Sequence, residues 1–281
     1  MKGTIRIAAL LVLGSLAALG QAPKIEVGEI NGAPFRIDVP ANWNGSLVLY
    51  CHGYGGPNNY DQNPLNPRIK VFTDMGYALA QSAYSAKGWA VKEAMQDTEV
   101  LRQYFVRKYG KAKRTFVTGH SMGGITTLGI IETFPAQYDA AMPICGPLEP
   151  SLIGLKKRVF DTLVVFDYFY PGVIGSPVKI SDTLTADSLK AAIDADFKKR
   201  EAMRRWMELA TETEVAGVVG FFASIQKELM THAGGNAFDN QNTIYFGTDD
   251  NIAVNRGVKR DRKSTRLNSS HIQKSRMPSS A

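Results

Sequence analysis

The serine at position 121 is the residue best placed to do chemistry. The heptapeptide TGHSMGG sets Ser121 between Gly119 and Gly123, after the apolar run RTFV and before the helical pattern ITTLGIIETF. A Gly-x-Ser-x-Gly sequence between a strand and a helix predicts a tight turn that exposes the serine hydroxyl at the sheet edge. Glycine is favoured beside such a turn because a side chain would clash there. We therefore expect Ser121 to be a nucleophile; the alternative is an ordinary helix N-cap.

A second glycine-rich segment, HGYGG at 52–56, follows the strand-like run LVLYC. Acyl transfer passes through a tetrahedral intermediate whose negative oxygen is stabilised by preorganised backbone N–H groups. The sequence predicts the N–H of Met122, at the start of the helix, and that of Tyr54, in the glycine-rich loop, as the two donors. His52 and Gly53 belong to the same loop. The alternative for this segment is a plain turn.

Together, HGYGG and GHSMGG resemble the α/β-hydrolase superfamily over residues 47–147, and within it the secreted esterase-like and prolyl-oligopeptidase-like serine hydrolases. The resemblance implies a mostly parallel sheet with helices on both faces and a Ser–His–acid triad in the chain order serine, acid, histidine. It also implies that His52 braces the oxyanion loop. The function it implies is hydrolysis of a small-molecule ester. The alternatives are a peptidase and a non-catalytic protein that binds a ligand.

The four histidines supply no convincing base. His120 adjoins the nucleophile, and successive side chains at the end of a strand point to opposite sides. His271 lies in the C-terminal tail. His232 is the histidine in the right chain order, but it ends a helical pattern before two glycines, where a histidine suits the helix dipole. His232 therefore stays a weak candidate for the base.

The acid is equally open. Asp249 and Asp250, in YFGTDDN, follow a strand-like run, as an acid of this fold would, and Asp250 is the candidate of the two. Asp167 in the aromatic segment FDYFYPG is a second candidate, with a capping or solvent-facing carboxylate as its alternative. We also expect that the acid and base proper belong to later strands, beyond residue 260. The chain of 281 residues should then show little or no turnover of substrate, because loss of a triad base lowers the rate by several orders of magnitude.

The elements that would position these residues follow from periodicity. Alternating apolar residues around Asn31-Gly32 predict an N-terminal hairpin. Strands are expected at LVLYC, YALAQSAYS, RTFVTG and AAMPICG, with helices over 68–75, over 91–109 and at GITTLGIIETF between them. This alternation predicts residues 23–147 as an α/β core.

Residues 148–245 read instead as a helical cap inserted into the core, with helical stretches over 186–210 and 214–232. The segment NTIYFG either returns to a strand or belongs to the cap, and 246–260 should lead back to the core. Two sets of large side chains in the cap are of interest: Phe166, Tyr168, Phe169 and Tyr170 as pocket lining or cap packing, and Met203, Trp206 and Met207 as core.

Both ends of the chain have a different composition. Residues 1–22 combine Lys2 and Arg6 with an apolar run and a small-x-small site, which predicts a cleaved secretory signal and a secreted or periplasmic protein. The apolar run is shorter than the roughly 20 residues of a bilayer span, so no stable membrane anchor should remain. DRKSTRLNSSH, at the start of 261–281, resembles a translated sequencing-adapter sequence, so we expect this tail to be non-native; the alternative is a genuine disordered basic tail.

The formal net charge of +7 is concentrated at these ends, and residues 23–260 carry about +1. Nucleic-acid binding is therefore not expected, and the sequence has no metal-ligand cluster or phosphate-binding loop that would indicate a cofactor. Cys51 and Cys145 should lie two strands apart, roughly 9–10 Å, which is too far for a disulfide. We expect two free, mostly buried thiols.

Overall fold

A computed structural model describes residues 22–149, 154–238, 243–247 and 251–263. The chain divides into two compact units, Met1–Gly146 and Pro147–Ala281. Residues 1–21 of the predicted signal, Asp250 and most of the basic tail lie outside the described residues.

The first unit contains a six-stranded sheet in the order β1-β2-β4-β3-β5-β6. Its strands are β1 (Lys24–Ile30), β2 (Ala33–Val39), β3 (Leu47–Cys51), β4 (Ala78–Ser82), β5 (Thr115–His120) and β6 (Ala140–Ile144). β2 pairs antiparallel with β1 and β4, whereas the pairs β3–β4, β3–β5 and β5–β6 are parallel. This is the α/β-hydrolase fold, and the predicted fold class is confirmed.

Helices cover both faces of this sheet because its central strands are apolar on both sides. They are α1 (Pro67–Asp74), α2 (Val91–Tyr109) and α3 (Met122–Thr133). Leu47 and Leu49 of β3 pack with Leu101 of α2 and Ile130 of α3. The intervening Val48 faces the other side, in the cluster that contains Ile69 of α1. Because β3 and β5 are parallel neighbours, their carboxyl ends lie together at one edge of the sheet.

The local predictions in this unit are confirmed. The hairpin turns at Asn31 and Gly32, whose φ angles of 53° and 79° suit a two-residue turn. The helix predicted over 91–109 has those bounds and stops at Gly110, with φ 91°. α1 begins after Asn66, whose side chain accepts a hydrogen bond from the Arg68 amide.

The second unit is mainly helical. A π-helical turn (Leu155–Phe160) leads into α4 (Asp161–Phe169), followed by the short pair β7 (Gly175–Ser176) and β8 (Lys179–Ile180), and then by α5 (Ala186–Asp194), α6 (Phe197–Trp206), α7 (Glu214–Ala233) and α8 (Asn251–Lys263). Helix α4 supplies Phe166 and Leu163 to a core that also holds Met203 and Val219.

The structure differs from two expectations for this unit and decides between the alternatives for NTIYFG. The stretch over 186–210 is two helices, because Asp196 starts α6 by accepting a hydrogen bond from the Lys199 amide. Residues 243–247 are not a strand, and Tyr245 is buried in the core of this unit, which agrees with the alternative that NTIYFG belongs to the cap. The segment expected to lead back to the core carries α8 instead, whose Val254 and Val258 are buried in the core of this unit.

Candidate active site

Ser121 joins β5 to α3 through a strained backbone turn. Its φ and ψ are 55° and −122°, a region that L-residues seldom occupy. The Ser121 amide donates to the carbonyl oxygen of Ile144 at 3.0 Å, which fastens the turn to the end of β6. The side chain makes no capping hydrogen bond with α3 and is half-buried. The hydroxyl thus lies at the carboxyl edge of the sheet and does not act as the N-cap of α3.

The glycines around Ser121 are needed for a close approach to β3. A Cβ at Gly123 would lie 2.0 Å from the carbonyl oxygen of Cys51, and one at Gly119 would lie 2.4 Å from the same atom. Backbone atoms leave no room to relax these clashes. The first turn of α3 can therefore pack on the end of β3 only when positions 119 and 123 are glycine.

The glycine-rich loop after β3 reaches Ser121. A Cβ at Gly53 would lie 3.3 Å from the Cβ of Ser121. Tyr54 is half-buried and packs against a small cluster that includes Met122. Met122 is the first residue of α3, and the first N–H groups of a helix have no partner within the helix. The loop and the start of α3 thus lie on either side of Ser121.

His52 is enclosed by this loop. Its Nδ1 donates to the carbonyl oxygen of Gly53 at 2.7 Å, and its ring stacks on Tyr84 with centroids 4.0 Å apart. A Cβ at Gly56 would lie 1.9 Å from Nδ1, so the loop wraps closely around the imidazole. Burial lowers the pKa of His52, which keeps the ring neutral at pH 7.

His120 contacts Tyr50 of the neighbouring strand β3. The hydroxyl of Tyr50 lies 2.6 Å from its Nδ1, and the two rings stack at 5.9 Å. Burial raises the pKa of Tyr50, so the phenol keeps its proton at neutral pH. Between the described residues of the first unit, no hydrogen bond joins Ser121 to His52 or His120.

The acid and base candidates belong to the other part of the chain. His232 lies in the last turn of α7, where its side chain is 74% exposed and Nε2 is 3.7 Å from Oε1 of Glu228. Asp167 is buried in α4 and accepts a hydrogen bond from the Gly172 amide at 3.0 Å. Asp167 therefore caps the turn after its helix, and Asp250 is outside the described residues.

The other singled-out side chains are accounted for by packing. Met203, Trp206 and Met207 pack in the core of the second unit, as predicted, and the aromatic residues of FDYFYPG belong to the same cluster. Both cysteines are free. Cys51 is buried, and burial raises the pKa of its thiol to about 11. Cys145, expected to be mostly buried, is exposed because it follows the edge strand β6.

Sequence reasoning missed Tyr84 and Tyr50 as neighbours of the site. Tyr84 lies two residues beyond β4, has φ 60° and donates through its hydroxyl to the carbonyl oxygen of His52. Their positions in the sequence could have indicated this. Tyr50 lies near the carboxyl end of β3, the strand next to β5, and Tyr84 follows the carboxyl end of β4, one strand further from β5. Among the residues described, no cluster of three His, Cys, Asp or Glu side chains could hold a metal ion.

The chain is similar to one curated protein over part of its length. It is 25% identical over 123 residues to the o-phthalyl amidase of Xanthobacter agilis. This alignment spans 42% of the present chain and 26% of the amidase. The chain thus corresponds to about a quarter of that relative.

Solved structures with partial similarity include two esterases. An acetyl xylan esterase from Aspergillus awamori has a TM-score of 0.35 and 20% identity, covering 42% of this chain and 50% of that one. A thermostable carboxyl esterase from Bacillus coagulans has a TM-score of 0.39 and 14% identity, covering 75% and 73%.

A match to a family profile covers most of the chain. Residues 31–262 match the family described as "Tannase-like family of unknown function (DUF6351)". The match includes the glycine-rich loop, the Ser121 turn and the helices of the second unit. The chain therefore belongs to this tannase-like family.

Proposed function

We propose that this protein is a serine hydrolase that cleaves ester bonds of small molecules, with Ser121 as the nucleophile. The observation that carries the proposal is the strained turn at Ser121 with a glycine-rich loop packed directly on it. A non-glycine residue in such a conformation is maintained only where the surroundings hold it, and such sites cluster at catalytic centres. Membership in a tannase-like family supports ester substrates.

In the proposed reaction, Oγ of Ser121 forms a bond to the ester carbonyl carbon and gives up its proton to a general base. The oxyanion of the tetrahedral intermediate accepts hydrogen bonds from the amides of Met122 and Tyr54. The carbon–oxygen bond to the alcohol then breaks, and the base returns the proton to the departing alcohol. Water hydrolyses the resulting acyl-enzyme by the same steps, which regenerates Ser121.

The loop geometry supports Tyr54 as the second donor. In a trans peptide, the C=O and N–H groups point in opposite directions. The hydrogen bond from Nδ1 of His52 to the carbonyl oxygen of Gly53 therefore fixes the direction of the Tyr54 N–H.

For the base and acid, chain order leaves His232 and Asp250 as the proposed candidates. The exposure of His232, its proximity to Glu228 and its place at a helix C-terminus suit a role in ending α7. We therefore expect His232→Ala to leave the reactivity of Ser121 unchanged. A loss of reactivity of tenfold or more would instead make His232 the base.

Covalent labelling of the full chain with a fluorophosphonate tests the nucleophile, because it does not require complete turnover. Labelling at Ser121, identified by peptide mass spectrometry and absent in Ser121→Ala, is the expected result. A folded protein that never reacts would favour a non-catalytic binder with this fold. Turnover of chromogenic peptides but not of p-nitrophenyl esters would favour the peptidase alternative. The named amidase relative makes aryl amides a third substrate to include.

We further propose that the protein is exported, with cleavage after Ala22. The described part of the chain has no helix long and apolar enough to cross a membrane. Expression in a bacterial host followed by N-terminal sequencing of the periplasmic and cytoplasmic protein checks this proposal. Retention of Met1 in both fractions would contradict it.

A further inference from the structure

The turn after β4 contains a second strained residue next to the site. Tyr84 has φ 60°, a region in which a bulky aromatic residue is a rare outlier. Glycine would adopt this angle without strain. A tyrosine at such a position indicates that its side chain is needed where the turn places it.

Hydrogen bonds on both sides hold the turn in this conformation. The amide of Tyr84 donates to Oγ of Ser82 at 3.1 Å. On the other side, the amide and hydroxyl of Ser85 both donate to Oδ2 of Asp97 on α2, at 2.7 and 2.9 Å. The strained backbone is thereby fixed to the sheet on one side and to a helix on the other.

The side chain of Tyr84 contacts His52 in two ways. Its ring stacks on the imidazole at a centroid separation of 4.0 Å and an interplanar angle of 25°. Its hydroxyl donates to the carbonyl oxygen of His52 at 3.2 Å. Tyr84 is 2% exposed and packs with Met122 and Ala94, so it has little freedom to move. Both the ring and the backbone of His52 are therefore held by one residue.

We propose that Tyr84 is a positioning residue for the oxyanion hole, acting through His52 on the Tyr54 amide; this inference rests on the proposed function. The Tyr84 hydroxyl holds the carbonyl oxygen of His52 and so fixes the peptide between His52 and Gly53. The His52 imidazole holds the carbonyl oxygen of Gly53, which shares the next peptide with the Tyr54 N–H. Without the Tyr84 hydroxyl, the peptide between His52 and Gly53 loses the hydrogen bond to its carbonyl oxygen. The Tyr54 amide would then spend less time aligned with the developing oxyanion.

Tyr84→Phe tests the proposal because it keeps the stacked ring and removes only the hydroxyl. We would measure the labelling rate of Ser121 by a fluorophosphonate and by its thiono analogue, in which sulfur replaces the oxygen that the hole binds. A misaligned oxyanion donor should slow the oxygen probe about tenfold. The thiono probe, which depends less on the hole, should slow by less than about twofold.

Tyr138→Phe is the matched control. Tyr138 is a tyrosine whose hydroxyl donates to Glu99 at 3.1 Å, and it precedes β6, at the opposite end of the parallel strands from Ser121. Its substitution should change neither labelling rate. Equal slowing of both probes by Tyr84→Phe would assign Tyr84 a purely structural role and overturn the proposal, as would no slowing at all.

A second variant covers the case in which Tyr84→Phe fails to fold, judged by loss of a cooperative thermal transition. Ser82→Ala leaves the ring intact and removes the acceptor of the Tyr84 amide. It should slow the oxygen probe about threefold and spare the thiono probe; unchanged rates would overturn the proposal. Failure of the proposed function looks different, since the wild-type protein itself would then not be labelled at Ser121.

Discussion

Gly53 packs directly on Ser121. A Cβ at position 53 would lie 3.3 Å from the Cβ of Ser121 and 3.1 Å from Nε2 of His120, closer than most real contacts of this kind. The strand that ends at Cys51 and the strand that ends at His120 are neighbours in the sheet, which is why their loops meet. The proposed nucleophile and its oxyanion loop are thus fixed by one pair of parallel strands.

Gly53→Ala should therefore impair reactivity more than stability. The added methyl group must push the loop away from Ser121 by a few tenths of an ångström, which moves the Tyr54 amide with it. We expect fluorophosphonate labelling to slow about tenfold, because oxyanion donors act over short distances, and the free energy of unfolding to fall by about 1 kcal/mol or less. A labelling rate equal to that of the wild type would contradict this placement of the loop.

Gly123→Ala should disrupt the fold of the first unit. The new Cβ would lie 2.0 Å from the carbonyl oxygen of Cys51, which is backbone and cannot rotate away. We expect a loss of about 3 kcal/mol or more in unfolding free energy, as for other severe overpacking, measured by denaturant unfolding.

Gly217→Ala is the control for that prediction. Gly217 is an exposed position of α7 where an added Cβ would meet nothing within 4 Å. Alanine there should stabilise the protein by about 0.5–1 kcal/mol through helix propensity. Similar losses from both substitutions would show that the close packing at Gly123 is not the cause.

Ser121→Gly should stabilise the protein while abolishing its labelling. The conformation of Ser121 is strained for a residue with a Cβ and permitted for glycine. We expect a gain of about 1 kcal/mol in unfolding free energy relative to Ser121→Ala, which is equally unreactive but keeps the strain. Thermal melting of the two variants makes the comparison, and a less stable glycine variant would contradict it.

Glu26→Gln should weaken the attachment of β1 to α2 in a pH-dependent manner. Glu26 accepts hydrogen bonds from Tyr104, Lys108 and Tyr109 at 2.5–2.6 Å. Burial by itself raises the pKa of Glu26, but these hydrogen bonds lower it overall. The carboxylate thus contributes stability above the unfolded-state pKa of 4.5, and this contribution is lost as the pH falls through the lower folded-state value.

The expected cost of Glu26→Gln is about 1–2 kcal/mol at pH 7, shrinking as the pH is lowered to 3. Urea unfolding at the two pH values measures it. Glu29→Gln, at an exposed position of the same strand, should change stability by less than about 0.5 kcal/mol. A cost for Glu26→Gln that does not depend on pH would argue against the charged hydrogen bonds.

The two thiols should differ sharply in reactivity. Cys51 is fully buried with a pKa of about 11, whereas Cys145 is exposed. Since the thiolate is the reactive species, Ellman's reagent should count one thiol in the native protein and two after denaturation. Cys145→Ser should reduce the native count to zero. Two fast-reacting thiols in the native wild type would contradict the burial of Cys51.

The sequence by itself determined the α/β-hydrolase fold, most elements of the first unit and the Ser121 turn. Those features rest on short-range patterns: Asn31-Gly32 for a hairpin, a 19-residue amphipathic helix ended by Gly110, and glycines on either side of a serine between strand and helix. Each pattern is enforced by backbone sterics or by burial of one face, so local sequence carries it.

Other features were decided only by the tertiary structure. The break between α5 and α6 depends on Asp196 capping a helix, within a stretch that reads as continuous from its composition. The exposure of Cys145 depends on which strand lies at the edge of the sheet. The contact of Tyr84 with His52 joins residues 32 positions apart, through a turn held by Asp97 from a third element. Such contacts depend on how strands are ordered in space, and no local periodicity encodes that order.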